Sequence, residues 1–173
     1  MTIRVEELKP GDGLIWRDLR LRALKDSPDA FGSTYEVEVQ RSDDEWQDHI
    51  NRNVADPLVT NFVARIDDEP AALAVCVFDE NERTICHLFA MWVAPEFRRR
   101  GLGRAILESA LDWMKQKGAK KAQLSVTEGN KEALSLYRSF GFLDTRRREP
   151  LREGSALQVI VMRRQLKDSL LDD

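Results

Sequence analysis

Between Ile85 and Val126 the chain reads as an apolar run, a basic glycine-rich loop, an amphipathic helix and a second apolar run, a succession that leaves few folds open. Ile85 to Val93 and Ala122 to Val126 have strand composition. Between them Ala105, Ile106, Ala110, Trp113 and Met114 mark one face of a long helix that stops at Gly118, a residue suited to a left-handed helix end. A connection of that length, with a helix in it, makes the two strands parallel neighbours.

The remaining segments fit around this unit. Leu58 to Ile66 and Ala71 to Phe78 are further β-like runs, and the polar turns Asp67-Asp68-Glu69-Pro70 and Asp79-Glu80-Asn81-Glu82 join them and Ile85 to Val93 into an antiparallel meander. Thr2 to Glu7 alternates as a first strand, and Pro10, Gly11 and Gly13 then break the chain. Ile15, Leu19 and Ala23 predict a helix from Leu14 to Lys25, ended by Ser27-Pro28. Ala30 to Thr34 reads as a loop, and Ser42 with Glu45 forms a capping box that opens a helix from Asp43 to about Arg52. Downstream come a helix from Lys131 to Phe140 and strands at Phe142 to Thr145 and Ala156 to Met162, joined across Arg146 to Gly154. The expected fold class is α/β with a mixed, mostly antiparallel sheet flanked by helices. One domain spans 1–173, with a core of about 3–164 and a frayed tail over 165–173.

Composition narrows the function. With 42% apolar and 33% charged residues the chain has ordinary globular usage, and a formal charge of -3 argues against nucleic acid as the main partner despite the basic clusters Arg98 to Arg104 and Arg146 to Arg148. Cys76 and Cys86 lack zinc-like spacing and read as buried free thiols, while His49 and His87 are isolated, so no metal is expected. The start MTIRVEELKP carries charges where a signal peptide needs an apolar run, and no stretch approaches the ~20 apolar residues of a membrane span. A cytoplasmic protein without a membrane partner is expected.

The loop Arg98-Arg99-Arg100-Gly101-Leu102-Gly103-Arg104 joins a strand end to a helix start, where unpaired N–H groups and the positive end of the helix dipole favour an anion. Gly101 and Gly103 let the backbone approach a phosphate and adopt dihedrals closed to other residues. The arginines add charge-assisted contacts at the rim. Read alone, the same letters also describe a solvated charge run on a tight turn. There is no Gly-Lys-Ser/Thr and no Gly-x-Gly-x-x-Gly, which sets aside two familiar nucleotide loops.

Two motifs in order resemble the GNAT acetyltransferase superfamily. Arg98-Arg99-Arg100-Gly101-Leu102-Gly103, preceded by Val93-Ala94-Pro95, matches its Arg/Gln-x-x-Gly-x-Gly/Ala motif, and Asn130, Ala133, Leu136-Tyr137 and Phe140-Gly141-Phe142 match its second motif. The likeness covers about 3–164 and implies the GNAT fold, in which the fourth and fifth strands splay apart around acetyl-CoA. It implies transfer of an acetyl group directly to a primary amine of a small molecule or peptide. A noncatalytic acyl-CoA-binding regulatory module is the alternative, which intact Tyr137 and both glycines disfavour. Members of the family often form dimers, so a homodimer is possible on the same ground.

The resemblance also implies site residues. Met91, Trp92 and Val93 would meet the pantetheine arm, and Arg98, Arg99, Arg100, Gly101, Leu102, Gly103 and Arg104 the pyrophosphate, with Asn130 and Ala133 at the start of the following helix. Tyr137 stands where many members place the hydroxyl that serves the CoA sulfur; packing between helix and sheet is its bland role. His87 lies on the fourth strand where one branch places a catalytic glutamate. A histidine near its reference pKa of ~6.5 either relays a proton or fills a polar spot. Phe31, Gly32, Ser33, Tyr35 and Glu36 are candidates for the amine-acceptor side. Glu36, Glu38, Asp43 and Asp44 are acidic groups available to a cationic amine.

Overall fold

A computed structural model describes residues 1–167; the part of the tail expectation that falls on 168–173 lies outside them. One seven-stranded sheet runs in the order β1-β2-β3-β4-β5-β7-β6. Its strands are β1 Ile3–Glu7, β2 Val59–Ile66, β3 Glu69–Phe78, β4 Ile85–Val93, β5 Lys121–Thr127, β6 Leu143–Pro150 and β7 Gln158–Gln165. The helices are α1 Gly13–Asp26, α2 Tyr35–Glu38, α3 Asp43–Ala55, α4 Leu102–Gln116 and α5 Lys131–Ser139. Among the described residues no helix is long and apolar enough to cross a membrane.

β2 and β3 are covered along nearly their whole length because helices pack on both sheet faces. On one face Phe62, Ala64, Ala72, Ala74 and Cys76 pack under Leu102, Ile106, Leu107, Ala110 and Met114 of α4. On the other, Val63, Leu73 and Trp92 pack under Trp16, Leu19 and Ala23 of α1 and Trp46 and Ile50 of α3. Helix α3 opens as its sequence predicts: the Ser42 hydroxyl accepts from the Glu45 amide, and the Glu45 carboxylate accepts from the Ser42 amide.

The meander expected from Leu58 to Val93 is present, and β4 and β5 are parallel. Three details differ. The first hairpin turns on Asp67 and Asp68 alone, both at positive φ, so Glu69 and Pro70 already belong to β3. The short helix α2 follows the loop at Ala30 to Thr34. Strand β6 runs on past Thr145 to Pro150 through an irregularity at Arg146, whose φ is 68°, and β7 inserts between β5 and β6. Arg146 to Arg148 are therefore strand residues. Arg148 bonds to Asp144 and Glu128, and Arg147 to Glu149, so two of these three cations are already paired with carboxylates.

Candidate active site

Parallel pairing between β4 and β5 stops early. Ile85, Cys86 and His87 pair with Lys121, Ala122 and Gln123, and beyond them the strands part. β4 stays bonded to β3 and β5 to β7, so the gap opens between two strands each anchored on its outer side. β4 also bulges. Leu73 pairs with Trp92 and Val75 with Phe89, leaving Ala90 and Met91 opposite a single residue, with Ala90 at φ 60°. A bulge re-aims the strand next to a site, and a positive φ at alanine is a strained feature that surrounding structure must hold.

The gap widens into a cleft of about 700 Å³ whose walls include Leu88 to Met91 of β4, Leu124 to Thr127 of β5, and Asn130, Ala133 and Tyr137 of α5. The Asn130 carboxamide caps α5 by accepting from the Ala133 amide at 3.2 Å. Tyr137 is buried beside Phe142, and its hydroxyl makes no hydrogen bond among the described residues. Burial pushes that hydroxyl up to about 12, so it holds its proton across the working pH range and stands in the cleft as a donor.

At the β4 end, the chain passes through a 3-10 turn, Pro95–Phe97, into the glycine loop and α4. The first intrahelical bond there runs from the Ala105 amide to the Gly101 carbonyl, and none of the six backbone N–H groups from Arg99 to Arg104 donates to another group among the described residues. Positive φ at Arg99 (64°) and Gly101 (89°) curls them toward one side, the geometry of an anion-binding nest at a helix N-terminus. The loop abuts the cleft: a Cβ built on Gly103 would lie 3.6 Å from Cε of Met91, a cleft wall. This arrangement can hold a polyanion whose other end lies between β4 and β5.

The far end of the cleft lies under α1, α2 and α3. Glu38, 4% exposed, is gripped by Arg20, whose Nε and Nη2 donate to the two carboxylate oxygens at 3.1 and 2.8 Å. Burial alone would raise this carboxyl, but the hydrogen bonds and charge of Arg20 outweigh it and hold Glu38 below its ordinary range. His49 is pushed down by burial first and then by Arg41 and Arg52, so its imidazole is neutral near pH 7. The Asn53 carboxamide donates to Oδ1 of Asn61 at 2.9 Å.

A family model for the Acetyltransferase (GNAT) family matches residues 21–142. The chain belongs to that family. Its relatives include the ribosomal protein bS18-alanine N-acetyltransferase of Salmonella typhimurium, 39% identical over 82 residues that make up 47% of this chain and 53% of that one. The chain thus spans about half the length of this curated relative. Among solved structures, a GNAT acetyltransferase from Streptococcus pneumoniae superposes with a TM-score of 0.81 at 20% identity, covering 96% of this chain and 100% of that one. A spermidine N-acetyltransferase from Vibrio cholerae in complex with CoA and spermine gives 0.77 at 20% identity, covering 95% of each. These two share the fold.

In this GNAT chain Met91, Asn130, Ala133 and Tyr137 meet along one cleft, and Phe31, Gly32 and Ser33 stand at its far end. Other residues singled out in the sequence lie elsewhere. Trp92 points to the opposite cluster, and its indole donates to Asp26 at 2.9 Å. Arg98 braces the loop instead of rimming it, donating to the Val93 carbonyl at 3.0 Å and to Asp26 at 2.6 Å. Leu102 is core, so only its amide faces the nest, while Arg100 and Arg104 lie over Phe97 and Phe140. Val93 packs against the α4 core cluster, and Arg99 is exposed near Glu132.

His87 shares a sheet face with Phe89 but is not a cleft wall; its Nε2 lies 2.8 Å from Asp79, whose carboxyl that bond, with two backbone amides, lowers to about 2. Tyr35 lies under the Lys25 ammonium and Glu36 is exposed, so α2 presents Glu38 to the cleft in their place. Sequence reasoning missed Arg20, Arg41, His49, Asn53 and Asn61 as walls. Asn61 did carry a signal: an amide inside the apolar run Val59–Ile66.

Proposed function

We propose that this protein transfers an acetyl group from acetyl-CoA directly to a primary amine of a small molecule or peptide. The observation that carries this reading is the row of six unpaired backbone amides, Arg99 to Arg104, set against the end of a cleft that holds an unpaired tyrosine hydroxyl. In the reaction an amine nitrogen bonds to the thioester carbon as the C–S bond breaks, and the proton nitrogen loses balances the one sulfur gains.

The chain's residues divide this work. The amides of Arg99 to Arg104 and the α4 dipole hold the pyrophosphate, and unpaired backbone of β4 and β5 beyond His87 lines the pantetheine path. Tyr137 donates a hydrogen bond to the sulfur as charge develops on it. His87, bonded to Asp79 and outside the cleft walls, takes no part in the transfer. Free, buried Cys76 and Cys86 accord with a reducing compartment, and we assign the reaction to the cytoplasm.

Tyr137→Phe tests the assignment. Turnover falls by about 10²-fold, while calorimetric affinity for acetyl-CoA stays within about twofold because the phenyl ring still packs. In the wild type no alkaline limb from this hydroxyl arises below about pH 10, since its pKa is raised toward about 12. Unchanged turnover in Tyr137→Phe removes the role.

A further inference from the structure

The far end of the cleft is built for an acceptor with a negative charge. Asn61 is 3% exposed, and its Nδ2 is a buried donor with no partner. It pairs across β2 and β3 with Val75, and Val59 with Val77, all cleft walls, so its side chain stands on the cleft face. Asn53 fixes the carboxamide by bonding its Oδ1. An unpaired donor in such a place is costly to the fold alone, which points to a ligand oxygen as its partner.

The charges agree. Glu38 is saturated by Arg20 and is also 3.9 Å from Arg41, and the other wall carboxylate, Glu149, is paired with Arg147. Arg41 stacks over Trp46 at 5.0 Å, and neutral His49 adds no negative charge. At this end of the cleft the two cations Arg20 and Arg41 thus outnumber the one carboxylate, Glu38.

Resting on the acetyl-transfer reading, we propose that this end of the cleft binds a carboxylate carried by the acceptor, with Asn61 Nδ2 and Arg41 as its donors. The acceptor class is a primary amine that also bears a carboxylate, such as an amino acid, and not a polyamine.

The test runs on the full chain. Acetyl-CoA binding is measured first by calorimetry, and its absence sinks the acetyl-transfer reading itself. With binding present, thiol release is followed for the common amino acids, for their decarboxylated analogues and for spermidine. At least one amino acid is expected to exceed its decarboxylated analogue in kcat/KM by about tenfold or more. Asn61→Leu then raises KM for that amino acid about tenfold with acetyl-CoA affinity unchanged. Asn61→Asp keeps the shape and the bond from Asn53 but places an anion on the wall, so preference inverts toward the decarboxylated amine. Preference for amines without carboxylates, or equal KM in Asn61→Asp, overturns the proposal while leaving acetyl transfer standing. If no amine turns over, calorimetry of the amino acids on the CoA-loaded protein decides, and no binding by any of them overturns it.

Discussion

Gly101 and Gly103 stand two positions apart and are glycine for different reasons. At Gly101 the nearest atom to an added Cβ is Cδ1 of Ile3 at 3.9 Å, so space is free, but φ is +89°. An alanine there is expected to cost about 1–2 kcal/mol of stability through backbone strain. Gly103 has no positive φ, and an added Cβ meets Leu136, Met91 and Val93 at 3.5, 3.6 and 3.9 Å, ordinary contacts. Alanine in a helix is favoured over glycine by roughly 0.5–1 kcal/mol, so the fold alone does not ask for glycine at this position. Gly103→Ala is therefore expected to leave the unfolding midpoint unchanged or higher while weakening acetyl-CoA binding about tenfold or more, since the added methyl obstructs close approach. Full affinity in that variant contradicts the loop's role. The glycines were legible in the sequence because their chemistry is local. Asn61 left a trace, a polar amide within a buried strand, but His49 did not, since an imidazole in a helix looks solvent-facing until tertiary packing covers it. The partner of His87 was hidden too, because Asp79, eight residues away, reaches it only through the hairpin.

Elements whose signals are short-range appeared where the sequence put them. The Ser42 capping box opens α3, Gly118 ends α4 at φ +88°, and the apolar runs of β2, β3 and β4 fall in order. Four-residue α2 was illegible because so short a segment has no period, and β7's insertion between β5 and β6 depends on distant pairing. The bulge at Ala90 was equally hidden, since alanine gives no local reason for φ 60°. Gly13 read as a chain breaker, yet it is the contact point of two helices. Its amide donates to Gln47 Oε1 at 2.8 Å, and an added Cβ would sit 2.6 Å from the Gln47 Cα and 2.7 Å from the Trp46 carbonyl. Because those atoms are backbone, Gly13→Ala must push α1 from α3, and a loss of about 1–3 kcal/mol is expected in denaturant unfolding. Wild-type stability in this variant would mean that α1 and α3 do not approach so closely.

At the scale of the molecule, the site is a consequence of the sheet. Three rungs join β4 to β5, then the pair opens, while β3 and β7 keep each strand in place from outside. The helix that the crossover requires starts at the mouth of this opening, so one topological unit supplies both the cleft and the anion nest. That much followed from Ile85 to Val126 and the second motif at Asn130 to Phe142. The acceptor end did not, because it draws on α1, α2, α3, β2 and β3, which are far apart in sequence. The central claim is that this cleft moves an acetyl group from acetyl-CoA to an amine. It is tested most directly by following CoA thiol release with and without added amine, with mass spectrometry of the acceptor. Amine-dependent release matched by a one-acetyl gain on the acceptor nitrogen is expected, and no release above background across amino acids, polyamines and peptides would rule out acetyl transfer by this cleft.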